Sequence, residues 1–182
     1  MRIRSAQRKD IAAVVTLDAV GAADRVRKER IRHAIRERAV YVADGLGDVL
    51  GYAIVSRSFF GRYFVEKIVV RTRDRRRGVG EHLMAHAEGI SSAAGELWTS
   101  TNQSNKAMRR LLRKRGFRIA GRVNGLDVGD PEVFYVKKAE QVARANAHSR
   151  HASCCGKRIE MKASNLNSSE ARVAPAAGVA HL

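Results

Sequence analysis

The run from Phe64 to Met84 constrains this chain more than any other. It opens with Val65, Ile68, Val69 and Val70, a β-branched series that reads as a mostly buried strand. Five arginines follow between Arg71 and Arg77, and then Gly78-Val79-Gly80. Val79, Leu83, Ala87 and Ile90 next recur at helical spacing. A strand, a basic glycine turn and a helix, in that order, suit an anion. The first turn of a helix leaves N–H groups without internal partners and carries the positive end of the helix dipole. Glycines at 78 and 80 let the backbone approach a ligand closely. Arg75, Arg76 and Arg77 offer charge-assisted bonds to phosphate oxygens. A di- or polyphosphate is the expected guest; the bland reading is a solvated arginine run beside an ordinary helix start.

Two familiar phosphate loops fit less well. A P-loop needs Lys-Ser or Lys-Thr after its last glycine, and Glu81-His82 stands there. A dinucleotide fingerprint needs a first glycine where this chain has Arg75. Charge agrees with a polyanionic partner without choosing one. The 182 residues hold 35 Lys and Arg against 18 acidic residues, a net charge of +17. That favours cofactor phosphates, acidic substrates or non-specific nucleic acid. Aromatic content of 5% and the lack of helix-turn-helix, RRM or KH patterns weigh against a dedicated nucleic-acid reader. Cys154 and Cys155 are adjacent and late in the chain, so no disulfide framework is expected and a reducing, cytoplasmic setting is the default. Asp10 and Asp18 bracket the apolar run from Ile11 to Leu17, which argues against a signal peptide. No apolar run approaches membrane-spanning length.

Taken in order, residues 1–6 read as a short edge strand, and Asp10 as the cap of a helix from Ile11 to about Ala19. Residues 25–38 read as a second helix with Ile31 and Ile35 one turn apart. Residues 39–43 and 49–55 form a hairpin around the turn 44–48. Phe59, Phe60 and Gly61 lie between that hairpin and the phosphate-loop strand; the two rings either line a substrate mouth or close the core. Gly95 ends the loop helix and residues 96–100 form a strand. Met108, Leu111 and Leu112 then set a helical face that Gly116 stops. Residues 117–123 and 133–137 close the fold as two strands. Between them Asp127, Asp130 and Glu132 either attract a cationic amine or belong to an Asp130-Pro131 turn. From residue 139 the periodicity fades into Ala, Ser, Asn, His and Arg, which reads as a disordered basic tail over 139–182. His82 and His86 lie one turn apart, but Leu83 occupies the glutamate position of the zinc-protease motif, so no metal is expected.

Two motifs in this frame resemble one family. Arg75-x-x-Gly78-x-Gly80 resembles the pyrophosphate loop of the GNAT superfamily of acyl-CoA-dependent N-acetyltransferases. Asn105-x-Ala107-Met108-x-x-Leu111-Leu112-x-x-x-Gly116-Phe117 resembles the segment in which an asparagine opens a helix ending in Gly-Phe. The runs 100–105 and 126–132 look like those of a bacterial subgroup. The resemblance implies an α/β (α+β) GNAT domain over 1–138, with about seven strands, splayed in the middle, and about four flanking helices. It further implies acetyl-CoA as co-substrate, held by Ile68, Val69 and Val70, by the loop Arg75, Arg76, Arg77, Gly78, Val79 and Gly80, and by Asn105. Acetyl-CoA would lie between residues 68–70 and 97–100. The acceptor would be an unidentified primary amine attacking directly, in a monomer or homodimer; Phe59, Phe60, Asp127 and Asp130 are the substrate-side candidates on the residue reading given above.

The catalytic groups depart from the pattern. Many members carry an acid tyrosine where this chain has Leu112, and the ribosomal-protein alanine acetyltransferases carry a glutamate base where it has Ser100. Glu66 resembles the base of histone-type members, and its other reading is an exposed strand carboxylate paired with an arginine. Tyr135 is the candidate acid. Two further readings stand beside the transferase: an acyl-CoA-binding protein of weak catalysis, and a basic nucleic-acid- or ribosome-associated module.

Overall fold

The computed structural model describes residues 1–18 and 25–138. The tail expected over 139–182, with Cys154 and Cys155, lies outside the described residues, as does Ala19. The elements are β1 (Arg2–Ser5), α1 (Ile11–Leu17), α2 (Arg25–Arg36), β2 (Val40–Gly45), β3 (Asp48–Phe59) and β4 (Arg62–Val70), then α3 (Val79–Ser91), β5 (Glu96–Asn102), α4 (Lys106–Lys114), β6 (Arg118–Val123) and β7 (Glu132–Lys138). They form one seven-stranded sheet in the order β1-β2-β3-β4-β5-β7-β6. Its pairs are antiparallel except β4 with β5, which run parallel. The element order is the one the sequence implied.

Alternation along the strands divides the core between two faces. On one, Val65, Leu97, Val133 and Tyr135 pack with Leu83, Met84 and Ala87 of α3 and Leu112 of α4. On the other, Val40, Val42 and Tyr52 pack with Val14 of α1 and with Ile31 and Ile35 of α2. Spacing alone had placed that isoleucine pair inward. No helix among the described residues is long and apolar enough to cross a membrane.

Several boundaries differ from expectation, each for a local reason. Helix α2 stops at Arg36 because Arg38 turns left-handed, at φ 55°. The Arg38 N–H then bonds to Ile35 and the Ala39 N–H to Ala34, a Schellman stop built without glycine. Strand β3 runs on to Phe59, so residues 59–61 do not form a separate connecting loop. Phe60 and Gly61, both at positive φ, are instead the two central residues of a tight hairpin turn between β3 and β4. Asp10 does not cap α1 through its side chain. Its carboxylate accepts from the Gln7 N–H at 2.7 Å and from Arg4 at 2.7 and 3.0 Å.

Two buried carboxylates make the fold sensitive to acid. Bonds from Arg4 hold Asp10 below the usual carboxylate range, outweighing its burial. Burial pushes Asp18 up, but Lys67 at 2.6 Å, Arg27 and the Tyr52 hydroxyl outweigh it and leave Asp18 lowered. A depressed folded pKa stabilises the fold above the unfolded carboxylate value and loses that contribution as pH falls through the folded value. Thermal melts across pH should therefore show the midpoint dropping below about pH 4. Asp18→Asn should start lower at neutral pH and fall less in acid; an unchanged pH profile would remove Asp18 from the account.

Candidate functional site

The sheet opens where its one parallel pair gives way. Strands β4 and β5 match only at Phe64 with Trp98 and Val65 with Thr99. The buried Thr99 hydroxyl donates to the Val65 carbonyl at 2.9 Å and closes the apex. Beyond it the strands part around a cleft of about 910 Å³. Its walls are residues 65–70 of β4, 99–102 of β5, the start of α3, and Met108 and Leu111 of α4. Of the expected residues 97–100, Thr99 and Ser100 line the cleft, whereas Leu97 and Trp98 do not. The other edge of β4 is paired to β3, so residues 68–70 turn one unpaired backbone edge toward the cleft.

At the wide end sits the glycine loop. Gly78, at φ 82°, makes the turn into α3 and has to be glycine or close to it for backbone reasons. Gly80 is different. A Cβ there would meet the protein no closer than 3.7 Å, at Val70, so the fold does not require glycine. Gly80 does line the cleft. An absent side chain facing a cleft beside a helix N-terminus matches the need of a phosphate to approach the backbone.

The arginines divide their work. Arg75 and Arg76 line the cleft, and the Arg75 Nε donates to the Val70 carbonyl at 3.3 Å. Arg77 is drawn instead to the buried Asp74 at 3.0 Å, and Arg71 bonds the same carboxylate. Asp74, held below the usual carboxylate range chiefly by Arg71, thus braces the loop from beneath. His82 Nδ1 lies 2.8 Å from the Gly78 carbonyl, whereas His86 packs on Tyr41 with ring centroids 4.8 Å apart. The two histidines face different partners.

Near the apex, β4 holds one residue too many. Ile54 pairs with Lys67 and Val55 with Val65, so Glu66 is the extra residue of a β-bulge. A bulged residue is left out of the ladder, and the strand bends there. Glu66 lines the cleft, and its carboxylate accepts from the hydroxyls of Ser56 and Ser58, the latter at 2.9 Å. Its partners are serines rather than the arginine of the alternative reading.

The remaining candidates are dispersed. Asn105 lines the cleft and caps α4, accepting from the Met108 N–H at 3.1 Å and donating to the Thr101 hydroxyl at 3.0 Å. Tyr135 is 1% exposed on the α3 face, where its hydroxyl accepts from Arg109 at 3.2 Å; it is no part of the cleft wall. Leu112 is wholly buried in the core, and its neighbour Leu111 reaches the cleft. Asp127 accepts from Asn102 at 2.6 Å, and Asp130 accepts from the Ser104 backbone and hydroxyl at 2.9 and 2.6 Å. Both carboxylates fasten the β6–β7 loop to the end of β5. Phe59 stacks among Phe64, Trp98 and Phe134, and Phe60 stands 88% exposed beside it; neither lines the cleft. Sequence reading missed Lys67, Asp74, Thr101 and Asn102 as wall residues.

A mixed sheet parted at its one parallel pair, with a helix entering from the glycine turn, is the architecture of the GNAT acetyltransferases. Residues 14–117, more than half of the chain, match the model of the acetyltransferase (GNAT) family. The chain belongs to that family. A GNAT-family acetyltransferase from Bacillus cereus superposes with a TM-score of 0.68 at 26% identity, covering 75% of this chain and 96% of that one. The yncA protein of Salmonella typhimurium, solved with its cofactor acetyl-CoA, gives 0.63 at 24% identity over 76% and 94%. A ribosomal-protein-alanine N-acetyltransferase from Brucella melitensis gives 0.62 at 24% over 76% and 99%. A search of curated proteins found no match.

Proposed function

We propose that this protein transfers an acetyl group from acetyl-CoA to a primary amine by direct attack within a ternary complex. The observation that carries the reading is the continuous cleft: a glycine loop at a helix N-terminus at one end, and the Glu66 carboxylate on a bulge at the other. In the bound complex acetyl-CoA supplies the acetyl group as an activated thioester. The N–H groups of residues 78–80, with Arg75 and Arg76, hold the pyrophosphate. The free edge of residues 68–70 bonds the extended arm, and Asn105 borders it from α4. The bulge at Glu66 takes one residue out of the ladder, and an N–H freed there would polarise the reacting carbonyl. Glu66 takes the proton that the attacking amine must lose, directly or through one water, while Ser56 and Ser58 keep its carboxylate oriented; as the C–N bond forms the thioester C–S bond breaks, and the departing thiolate takes its proton from water. Tyr135 has no part in this reading because it is buried at 1% exposure and does not line the cleft.

Calorimetry with acetyl-CoA, followed by thiol release in the presence of a panel of primary amines, tests the reading. Micromolar binding and amine-dependent thiol release are expected. A folded protein that binds no acetyl-CoA would overturn it.

A further inference from the structure

Five aromatic rings gather on the face of the sheet opposite α3. Phe59 lies 4.9 Å from Phe64, 5.4 Å from Trp98 and 5.6 Å from Phe134 between ring centroids, and Phe60 meets its edge at 5.1 Å. Cross-strand register shows why they share a face: Phe64 is matched to Trp98, and Ser100, two residues on, to Phe134. Ser56 is matched to Phe64 and bonds Glu66, so the Glu66 carboxylate borders the same rings. Helices α1 and α2 pack on β2 and β3, whereas these rings lie over β4, β5 and β7.

Two details are poorly explained by packing. Phe60 adopts φ 51° as the first central residue of the hairpin turn, a position suited to asparagine or glycine, and its ring is 88% exposed. The fold gains little from an aromatic residue there. Secondly, the Trp98 Nε1 atom is buried and has no hydrogen-bond partner among the described residues. A buried unpartnered donor is a cost to the fold that packing of the rings does not offset.

The geometry points to this ring cluster as the acceptor platform, and to a primary amine borne on an aromatic or bulky apolar group as the substrate class. The apolar group rests against Phe59, Phe60 and Trp98, and the ammonium meets the carboxylate of Glu66, a residue that also lines the cofactor cleft. A compact hydrophilic amine would leave the rings uncovered. The inference rests on the acetyl-transfer reading of that cleft and adds to it the chemistry of the acceptor.

Trp98 is the single tryptophan of the chain, so its emission reports binding without any need for turnover. Titration with phenethylamine should change that emission saturably. Butylamine, lacking the ring, and phenylethanol, lacking the amine, should bind at least about tenfold more weakly, the scale of one lost aromatic or charge-assisted contact. Phe60→Asn provides the decisive variant, because asparagine followed by Gly61 suits the turn. Its thermal midpoint should hold or rise while phenethylamine affinity falls about tenfold and acetyl-CoA affinity stays put. A midpoint that falls with amine affinity unchanged would make Phe60 structural and overturn the inference. So would equal binding of butylamine and phenethylamine. Ring-dependent amine binding without acetyl transfer would instead overturn the transferase reading and leave the platform standing.

Discussion

Gly80→Glu is expected to abolish acetyl-CoA binding while leaving the fold as stable as before, or slightly more so. Two effects of opposite sign meet at this residue. As a helical position in the first turn of α3, it should gain from losing glycine by about 0.5–1 kcal/mol, with a further favourable contribution from a carboxylate at the positive end of the dipole. The structure leaves room for the Cβ, since Val70 at 3.7 Å and Leu111 at 3.9 Å are ordinary contacts. The same side chain, however, enters the cleft where the phosphates must approach the backbone and brings negative charge against them. Loss of at least about a hundredfold in affinity, about 2.8 kcal/mol, is the expected calorimetric result. Paired thermal melts separate the two effects. An unfolded variant would refute the steric argument, and a folded variant that still binds acetyl-CoA would refute the phosphate site.

Glu66→Gln should lower kcat on the order of a hundredfold with acetyl-CoA affinity changed by less than about twofold. Glutamine keeps an oxygen to accept from Ser56 and Ser58, so the bulge and its orientation survive. What disappears is a site for the proton of the amine. A rate that is unchanged at every pH would remove Glu66 from the chemistry. A matching loss of acetyl-CoA affinity would mark its role as structural.

Much of this was legible locally. Strand, arginine-glycine turn and helix are all contiguous in residues 64–84, and their order follows from β-branching, backbone freedom and helical periodicity. Asn105 and Gly116 bracket α4 for reasons equally local, a side-chain cap and a left-handed stop. The catalytic end was less readable. Nothing in the run from Phe64 to Val70 reveals that Glu66 is bulged, because a bulge is a mismatch between two strands and exists only once β3 has paired with β4. Tyr135 looked available for the same reason: its strand predicts alternation but not which face receives α3 and α4. Arg77 reads like Arg75 and Arg76, and only the position of the buried Asp74 diverts it.

By itself, then, the amino-acid sequence determined the order of the elements, the basic glycine turn and its helix, and the family they belong to. These depend on interactions between residues close in the chain. The tertiary structure decided where β4 and β5 part, which face each side chain takes, and how Phe59, Phe60, Phe64, Trp98 and Phe134 come to lie beside Glu66. Those outcomes depend on register between strands distant in sequence. A shift of one residue in that register would send every ring to the opposite face.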